Sequence, residues 1–258
     1  MEATENSHSA ETQPLLDLRG VSVAFGGLLA LSEIDLRVGL GERLAILGPN
    51  GAGKTTLFNV IAGDISPTTG TVHIAGDDVT LKPSRVRPAL GVARTYQKTR
   101  LFADLSVAEN LTLAAMGKDG RHRRLLHGAT STSIAERSRA AADKVWLSDV
   151  FDTLVADLSH GQRRQLEVGM AVVTEPLLML LDEPASGLSR GERERLIDLL
   201  EDLEHTMTLI LIEHDMDVAL RVAERVMVMS DGRKLSEGTP ETIREDPVVH
   251  AIYLGTRA

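Results

Sequence analysis

The run Gly48-Pro49-Asn50-Gly51-Ala52-Gly53-Lys54-Thr55-Thr56 fits the phosphate-binding pattern G-x-x-x-x-G-K-[ST]. It sits between an apolar strand pattern, Leu44 to Leu47, and a helical one in which Leu57, Val60 and Ile61 repeat. This strand, loop, helix order constrains the chain more than any other feature. Glycines let backbone N–H groups converge on phosphate oxygens, the opening helix adds its partial positive end, and Lys54 supplies a full charge. Thr55 is placed to offer a hydroxyl to Mg²⁺. The stretch reads as a cradle for a nucleoside triphosphate. The plain alternative is a Gly-rich turn that happens to contain Lys.

A chain of 258 residues with ordinary apolar content can build one large domain, or two lobes, around a substantial core. Its formal charge of −9 argues against broad nucleic-acid binding, which needs Lys and Arg to displace counterions. Cysteine is absent, which excludes disulfides and thiolate metal sites and fits a reducing cytoplasm. No apolar run approaches a membrane span, and Met1 to Pro14 lacks the apolar centre of a signal peptide, so a soluble intracellular protein is expected. Residues 1–13, rich in Glu, Thr and Ser, are expected to be a disordered tail.

Leu16 to Phe25 and Ile34 to Val38 read as strands joined through a Gly26-Gly27 turn. Position alone makes Phe25 a core residue, with stacking on adenine as the sharper reading. Thr71 to Ala75 is a further strand, and Pro83 to Leu90 an irregular or helical link towards Gln97, which spacing alone does not single out. Ser106 and Glu109 form a capping box for a helix reaching about Met116, with Leu105, Leu111 and Leu113 as apolar contacts. Lys118, Arg121, Arg123 and Arg124 make a basic loop, read as solvated or as meeting anionic headgroups. Ser133 to Leu147 is amphipathic, with Ile134, Ala141, Val145 and Trp146 on its expected buried face.

Ser159 and Gln162 form another capping box, before a helix carrying Leu166, Met170 and Val173. Capping does not call for Gly161 in the first turn, whereas close approach by a phosphate would. Leu177 to Leu181 is a continuous apolar strand ending in Asp182 and Glu183, at the strand end where open α/β sheets bind ligands. Asp182 fits Mg²⁺ coordination and Glu183 a general base acting on the attacking water. Ser189 and Glu192 cap a helix bearing Leu196, Leu199, Leu200 and Leu203, and the strand Thr208 to Ile212 ends at Glu213-His214-Asp215. His214 could donate to a γ-phosphate, although a lone histidine is more often structural. Val226 to Leu235 reads as a hairpin turning at Asp231-Gly232, followed by a helix start at Thr239-Pro240 and a short terminal helix from Asp246 to Leu254.

In this order the segments resemble ATP-binding cassette (ABC) ATPases over Leu15 to Gly255. Gly48 to Thr55 resembles the Walker A loop, Gln97 the Q-loop, Leu158 to Gln162 the signature, Leu177 to Glu183 the Walker B strand, and His214 the switch histidine. The resemblance implies an α/β P-loop NTPase fold with a RecA-like core, an N-terminal antiparallel β portion and an inserted helical subdomain, roughly 98–174, within a domain over 14–258. It implies ATP and Mg²⁺ as ligands, with Thr55, Gln97 and Asp182 at the metal, and Glu183, Gln97 and His214 in catalysis. Phe25 becomes the adenine-stacking ring, and Ser159, Gly161 and Gln162 serve a partner's nucleotide. Implied partners are a second ABC ATPase subunit in a homodimer or heterodimer, transmembrane permease subunits and, indirectly, an extracytoplasmic solute-binding protein. The place implied is the inner face of the cell membrane. Phe25-Gly26-Gly27, Glu213 to Ala219 and Ile252 to Gly255 resemble the branched-chain amino-acid importer branch. Two residues depart from the common pattern: His160 stands where most of the family has Gly, a variant that resembles importers of urea and short amides as well as some amino-acid importers, and Ser189 stands where Asp is common and, in the amino-acid branch, Asn is frequent. Urea import, export of the lipopolysaccharide type and a soluble non-transport ATPase remain open alternatives.

Overall fold

The computed structural model describes residues 13–95, 101–118 and 129–254. The expected tail over residues 1–12, Gln97, the loop residues Arg121, Arg123 and Arg124, and Gly255 lie outside the described residues. In chain order, β1 (Leu16–Phe25) and β2 (Leu28–Val38) form a hairpin, and β3 (Arg43–Leu47) leads into α1 (Lys54–Ala62). Next come β4 (Thr69–Ile74), β5 (Asp77–Asp78), a 3-10 helix over Ser84–Leu90, and β6 (Val92–Arg94). Three helices follow: α2 (Val107–Lys118), α3 (Ala129–Lys144) and α4 (His160–Val172). Then β7 (Leu178–Asp182), α5 (Arg190–Asp202), β8 (Thr208–Ile212), α6 (Met216–Val222) and β9 (Arg225–Ser230) alternate. β10 (Arg233–Gly238), α7 (Pro240–Glu245) and α8 (Pro247–Leu254) end the described chain.

Two sheets result. An antiparallel one has the order β2-β1-β4-β5, and a larger one the order β10-β9-β3-β8-β7-β6, parallel except where β9 meets β10. Strands β3, β7 and β8 are buried at every position, the burial that continuous apolar strands require. Their side chains alternate between two faces. Leu44, Ile46, Leu180 and Ile212 pack with Leu57 and Phe58 of α1 and with the antiparallel sheet. Met179, Leu181, Leu209 and Leu211 pack on the opposite side, in the cluster that holds α4 and α5. Ala45, Leu47, Val226 and Val228 meet α6, α7 and α8.

Three expectations are corrected by these packing relations. The second strand starts at Leu28 rather than Ile34, because Phe25 pairs with Leu28 and the hairpin turns tightly at Gly26-Gly27. Phe25 is 51% exposed at that strand end and is not core. Trp146 is 44% exposed, since α3 ends at Lys144 and the left-handed backbone at Trp146 (φ 57°) turns its ring off the buried face. Ile134, Ala141 and Val145 are buried as expected.

Helix α2 starts with both capping-box bonds, Ser106 N–H to Glu109 Oε2 at 2.8 Å and Glu109 N–H to Ser106 Oγ at 3.2 Å. Val107, Leu111 and Ala115, spaced at i, i+4, i+8, enter the cluster shared with α3 and α4. Asn110 on the next face is fully buried and ties the entry segment down. Its Oδ1 accepts the Phe102 N–H at 2.9 Å, and its Nδ2 donates to the carbonyls of Phe102 (3.1 Å) and Ser106 (2.9 Å). Asn110→Ala strands these backbone groups, and the expected loss is about 1–3 kcal/mol. Urea unfolding should show a lower midpoint at an unchanged slope; an unmoved midpoint would contradict this role.

Candidate functional site

The parallel register brings three strand ends to one edge: Ile46 of β3 and Asp182 of β7 both pair with Ile212 of β8. The Lys54 loop and the carboxylates Asp182, Glu183 and Glu213 follow from that edge. After β3 the chain loops through Gly48 to Gly53 into α1, whose start carries no side-chain cap and no acid in its first turn. Gly53 is required there: its φ is 97°, and a Cβ would lie 2.8 Å from the Ala30 carbonyl. An uncapped, acid-free helix start leaves backbone N–H groups for an anion. Asn50, Gly51 and Thr55 are exposed on this loop, Pro49 and Thr56 are half-buried, and Ala52 is buried beneath it, accepting the Gly232 N–H at 3.1 Å.

Lys54 is buried. Its ammonium donates to the loop's own carbonyls, Gly48 at 2.6 Å and Pro49 at 3.0 Å, so it lies folded back along the cradle. Burial pushes its pKa down, while Glu183, Asp182 and Glu213 pull it back up. Those carboxylates are the other half of the site. Asp182 is buried, and burial raises its pKa against the opposing pull of Arg94, whose guanidinium is 3.8 Å away. Arg94 also binds Asp64, donates to Asn59 Oδ1 at 2.8 Å and lies 4.8 Å from the centre of the Phe58 ring.

Glu183 has a left-handed backbone, φ 47°, rare for a non-glycine residue and characteristic of functional turns. Its N–H is held by the Ile212 carbonyl at 2.9 Å and its own carbonyl by Arg164 at 3.1 Å. His214 Nδ1 stands 3.9 Å from both Glu183 Oε2 and Glu213 Oε2. Glu213 is fully buried; burial raises its pKa, and its Oε1 accepts the Ala185 N–H at 3.0 Å. It thereby braces the turn after Glu183. Arg94, Arg164 and Glu213 contact Asp182, the Glu183 carbonyl and the Ala185 N–H, and the sequence reading did not single them out, because nothing in their spacing marks them; only the pairing of strand ends brings them in.

The residues fit the ligands implied for them. A glycine-rich cradle with one ammonium and an uncapped helix start suits a polyphosphate. Two carboxylates whose ionisation burial opposes suit a divalent cation that arrives with it, taking most of its oxygens from phosphate and water. Thr55, exposed beside Lys54, offers the hydroxyl.

Ser159, Gly161 and Gln162 lie elsewhere. Ser159 Oγ accepts the Gln162 N–H at 3.2 Å and Gln162 Oε1 the Ser159 N–H at 2.9 Å, completing the cap of α4. The Gly161 N–H donates to Glu192 Oε1 at 2.8 Å. Among the described residues these bonds join them to each other and to α5, not to the Lys54 loop of the same chain. Phe25 stands exposed at the end of β1. A groove of about 430 Å³, apolar on Leu101, Ala114 and Met170 and polar on Arg87 and Arg94, opens between the 3-10 helix, β6, α2 and α4.

A family model for ABC transporters matches residues 31–186, and one for branched-chain amino acid ATP-binding cassette transporters matches residues 233–258. The high-affinity branched-chain amino acid transport ATP-binding protein BraF of Pseudomonas aeruginosa is 37% identical over 95% of this chain and 99% of its own length. LivG of Escherichia coli K12, which bears the same description, is 35% identical over the same shares. The ADP conformation of MJ1267, an ATP-binding cassette of an ABC transporter, matches with a TM-score of 0.82 at 28% identity, covering 95% of this chain and all of that one. The dimeric post-hydrolysis cassette MJ0796, bound to ADP and Pi, matches with a TM-score of 0.73 at 25% identity, covering 87% of this chain and 98% of that one. A family model spanning more than half of the chain, over the strand ends and loop just described, makes this protein a member of the ABC transporter family, an ATP-hydrolysing cassette on a P-loop NTPase fold.

Proposed function

We propose that this chain is the ATP-hydrolysing subunit of an importer of branched-chain or other hydrophobic amino acids. The observation that carries the ATPase half is the meeting of Asp182, Glu183 and Glu213 with Lys54 beside an uncapped helix start. The substrate half rests on the near full-length similarity to BraF and LivG and on the family match over residues 233–258. No helix among the described residues is long and apolar enough to cross a membrane; in this reading permease subunits carry the solute's path. In this reading the cassette works on the cytoplasmic face of the membrane, paired with itself or with a second cassette, and an extracytoplasmic binding protein delivers the solute. The domain covers residues 14–258. The helical subdomain, roughly 98–174, and the Gln97 loop meet the permease, and the groove over Leu101 and Met170 is the receiving surface.

In this reading each site residue has a role. Lys54 and the N–H groups from Gly51 to Thr56 hold the phosphates, and Phe25 stacks on the base. The Thr55 hydroxyl, Asp182 and Gln97 would hold Mg²⁺, which would supply charge neutralisation for the phosphates. Glu183 takes the proton of the attacking water, and His214 donates to the γ-phosphate. Ser159, Gly161 and Gln162 receive the nucleotide of the partner subunit.

The test of the transport reading is to reconstitute the chain with its permease and binding protein. Leucine, isoleucine or valine should stimulate ATP turnover, while urea and short amides should not; the reverse pattern would overturn the substrate class. Glu183→Gln should keep ATP binding and lower turnover by at least ~10²-fold, the scale of losing a general base. Wild-type turnover at saturating MgATP would remove Glu183 from that role.

Asp182→Asn separates binding chemistry from stability. Burial holds the folded Asp182 carboxyl above its unfolded range, so its ionisation opposes folding. That opposition is absent at low pH, where both states are protonated, and complete above the folded pKa. Asp182→Asn should therefore lose Mg²⁺-dependent turnover yet unfold at a higher temperature than the parent near neutral pH. The difference should close as pH falls into the ordinary aspartate range. Differential scanning calorimetry across pH reads this directly, and a variant less stable than the parent at neutral pH would refute it.

A further inference from the structure

Glu192 makes one bond too many for a capping residue. As the N3 residue of α5 it needs only to accept the Ser189 N–H, and Oε2 does so at 3.0 Å while also accepting the Ser189 hydroxyl at 2.7 Å. Its other oxygen, Oε1, reaches out of α5 to the Gly161 N–H of α4 at 2.8 Å. The Ser159–Gln162 capping box occupies the Ser159 and Gln162 N–H groups and leaves the Gly161 N–H open, and in the single chain Glu192 fills it. The contact also accounts for the glycine: a Cβ at position 161 would lie 2.9 Å from Glu192 Cγ. A negatively charged oxygen thus sits on a first-turn donor of α4, where the positive end of the helix favours an anion.

We propose that the Glu192 carboxylate is a built-in competitor of the phosphate: it holds the Gly161 N–H in the separate subunit and must release it before a partner's nucleotide can bind there. The carboxylate thereby sets the ATP concentration at which two cassettes close. This rests on the reading that Ser159 and Gly161 serve a partner's nucleotide. Two anions cannot share one donor in close contact without repulsion, so binding of one displaces the other. Glu192 is half-buried and keeps its Ser189 bonds when Oε1 lets go, so release costs neither helix its cap. Three donors hold its pKa low, the Ser189 hydroxyl first, then the Ser189 and Gly161 N–H groups, so the competitor stays charged at neutral pH. Because Oε2 remains on Ser189, displacement also pulls on the turn that follows Glu183.

The experiment uses the full chain in a Glu183→Gln background, which holds ATP without turning it over, and reads dimer formation by light scattering against ATP concentration. Glu192→Gln removes the charge. Glu192→Asp keeps the charge and the Ser189 cap but is too short to reach Gly161, which guards against a fold defect in the first variant. Both should lower the ATP concentration for half-dimerisation by about two- to fivefold, the scale of one anion at a helix start. A contact that only props up the structure predicts the opposite sign. An unchanged or raised ATP requirement in the variants overturns the proposal while leaving the composite site intact. If the Glu183→Gln parent itself stays monomeric at saturating ATP, the partner-nucleotide reading fails and the competitor fails with it.

Discussion

Asp182, Glu183 and Glu213 face Lys54 where β3, β7 and β8 end together, and that excess of buried negative charge is the constraint around which the fold is arranged. Water would relieve it, but the strands are buried on both faces. Relief comes instead from fixed partners: Arg94 beside Asp182, the Ala185 N–H on Glu213, and Arg164 on the Glu183 carbonyl. None of them neutralises the Asp182 and Glu213 carboxyls fully, which is why burial still raises their pKa. A site left short of positive charge suits a cation and the phosphates that bring it.

Much of this architecture was legible in the sequence because its signals are local. The strand, loop, helix order at Gly48 to Ile61 is contiguous, as are the apolar runs of β7 and β8 and the capping boxes at Ser106, Ser159 and Ser189. Asp182 and Glu183 were found because a strand's carboxyl end is predictable once the strand is. The errors arise where a residue's fate depends on its neighbours across space. Phe25 reads as core by residue type, yet the turn at Gly26-Gly27 carries it to an edge. Trp146 continues the apolar pattern of α3, but the helix stops two residues earlier. Arg94, Arg164 and Glu213 act through contacts with β7, α1 and the turn after Glu183, and no periodicity in their own segments records that.

Besides apolar packing, two directional bonds join helix α4 to the segment from Glu183 to Glu192. Helix α4 belongs to the apolar cluster of α2 and α3, yet Arg164, one turn into it, donates to the Glu183 carbonyl, and Gly161 at its start donates to Glu192 of α5. The turn between β7 and α5 is therefore held by α4 at both ends, at Glu183 and at Glu192. A rigid helix fastened at two points transmits displacement rather than absorbing it, since packed interiors shift between discrete arrangements instead of deforming smoothly. A shift of α4 would therefore bear on both the Glu183 carbonyl and the Glu192 carboxylate. The groove over Leu101 and Met170 lies against the same helix, which reaches the strand ends both through Arg164 and through its apolar packing on Met179 and Leu181.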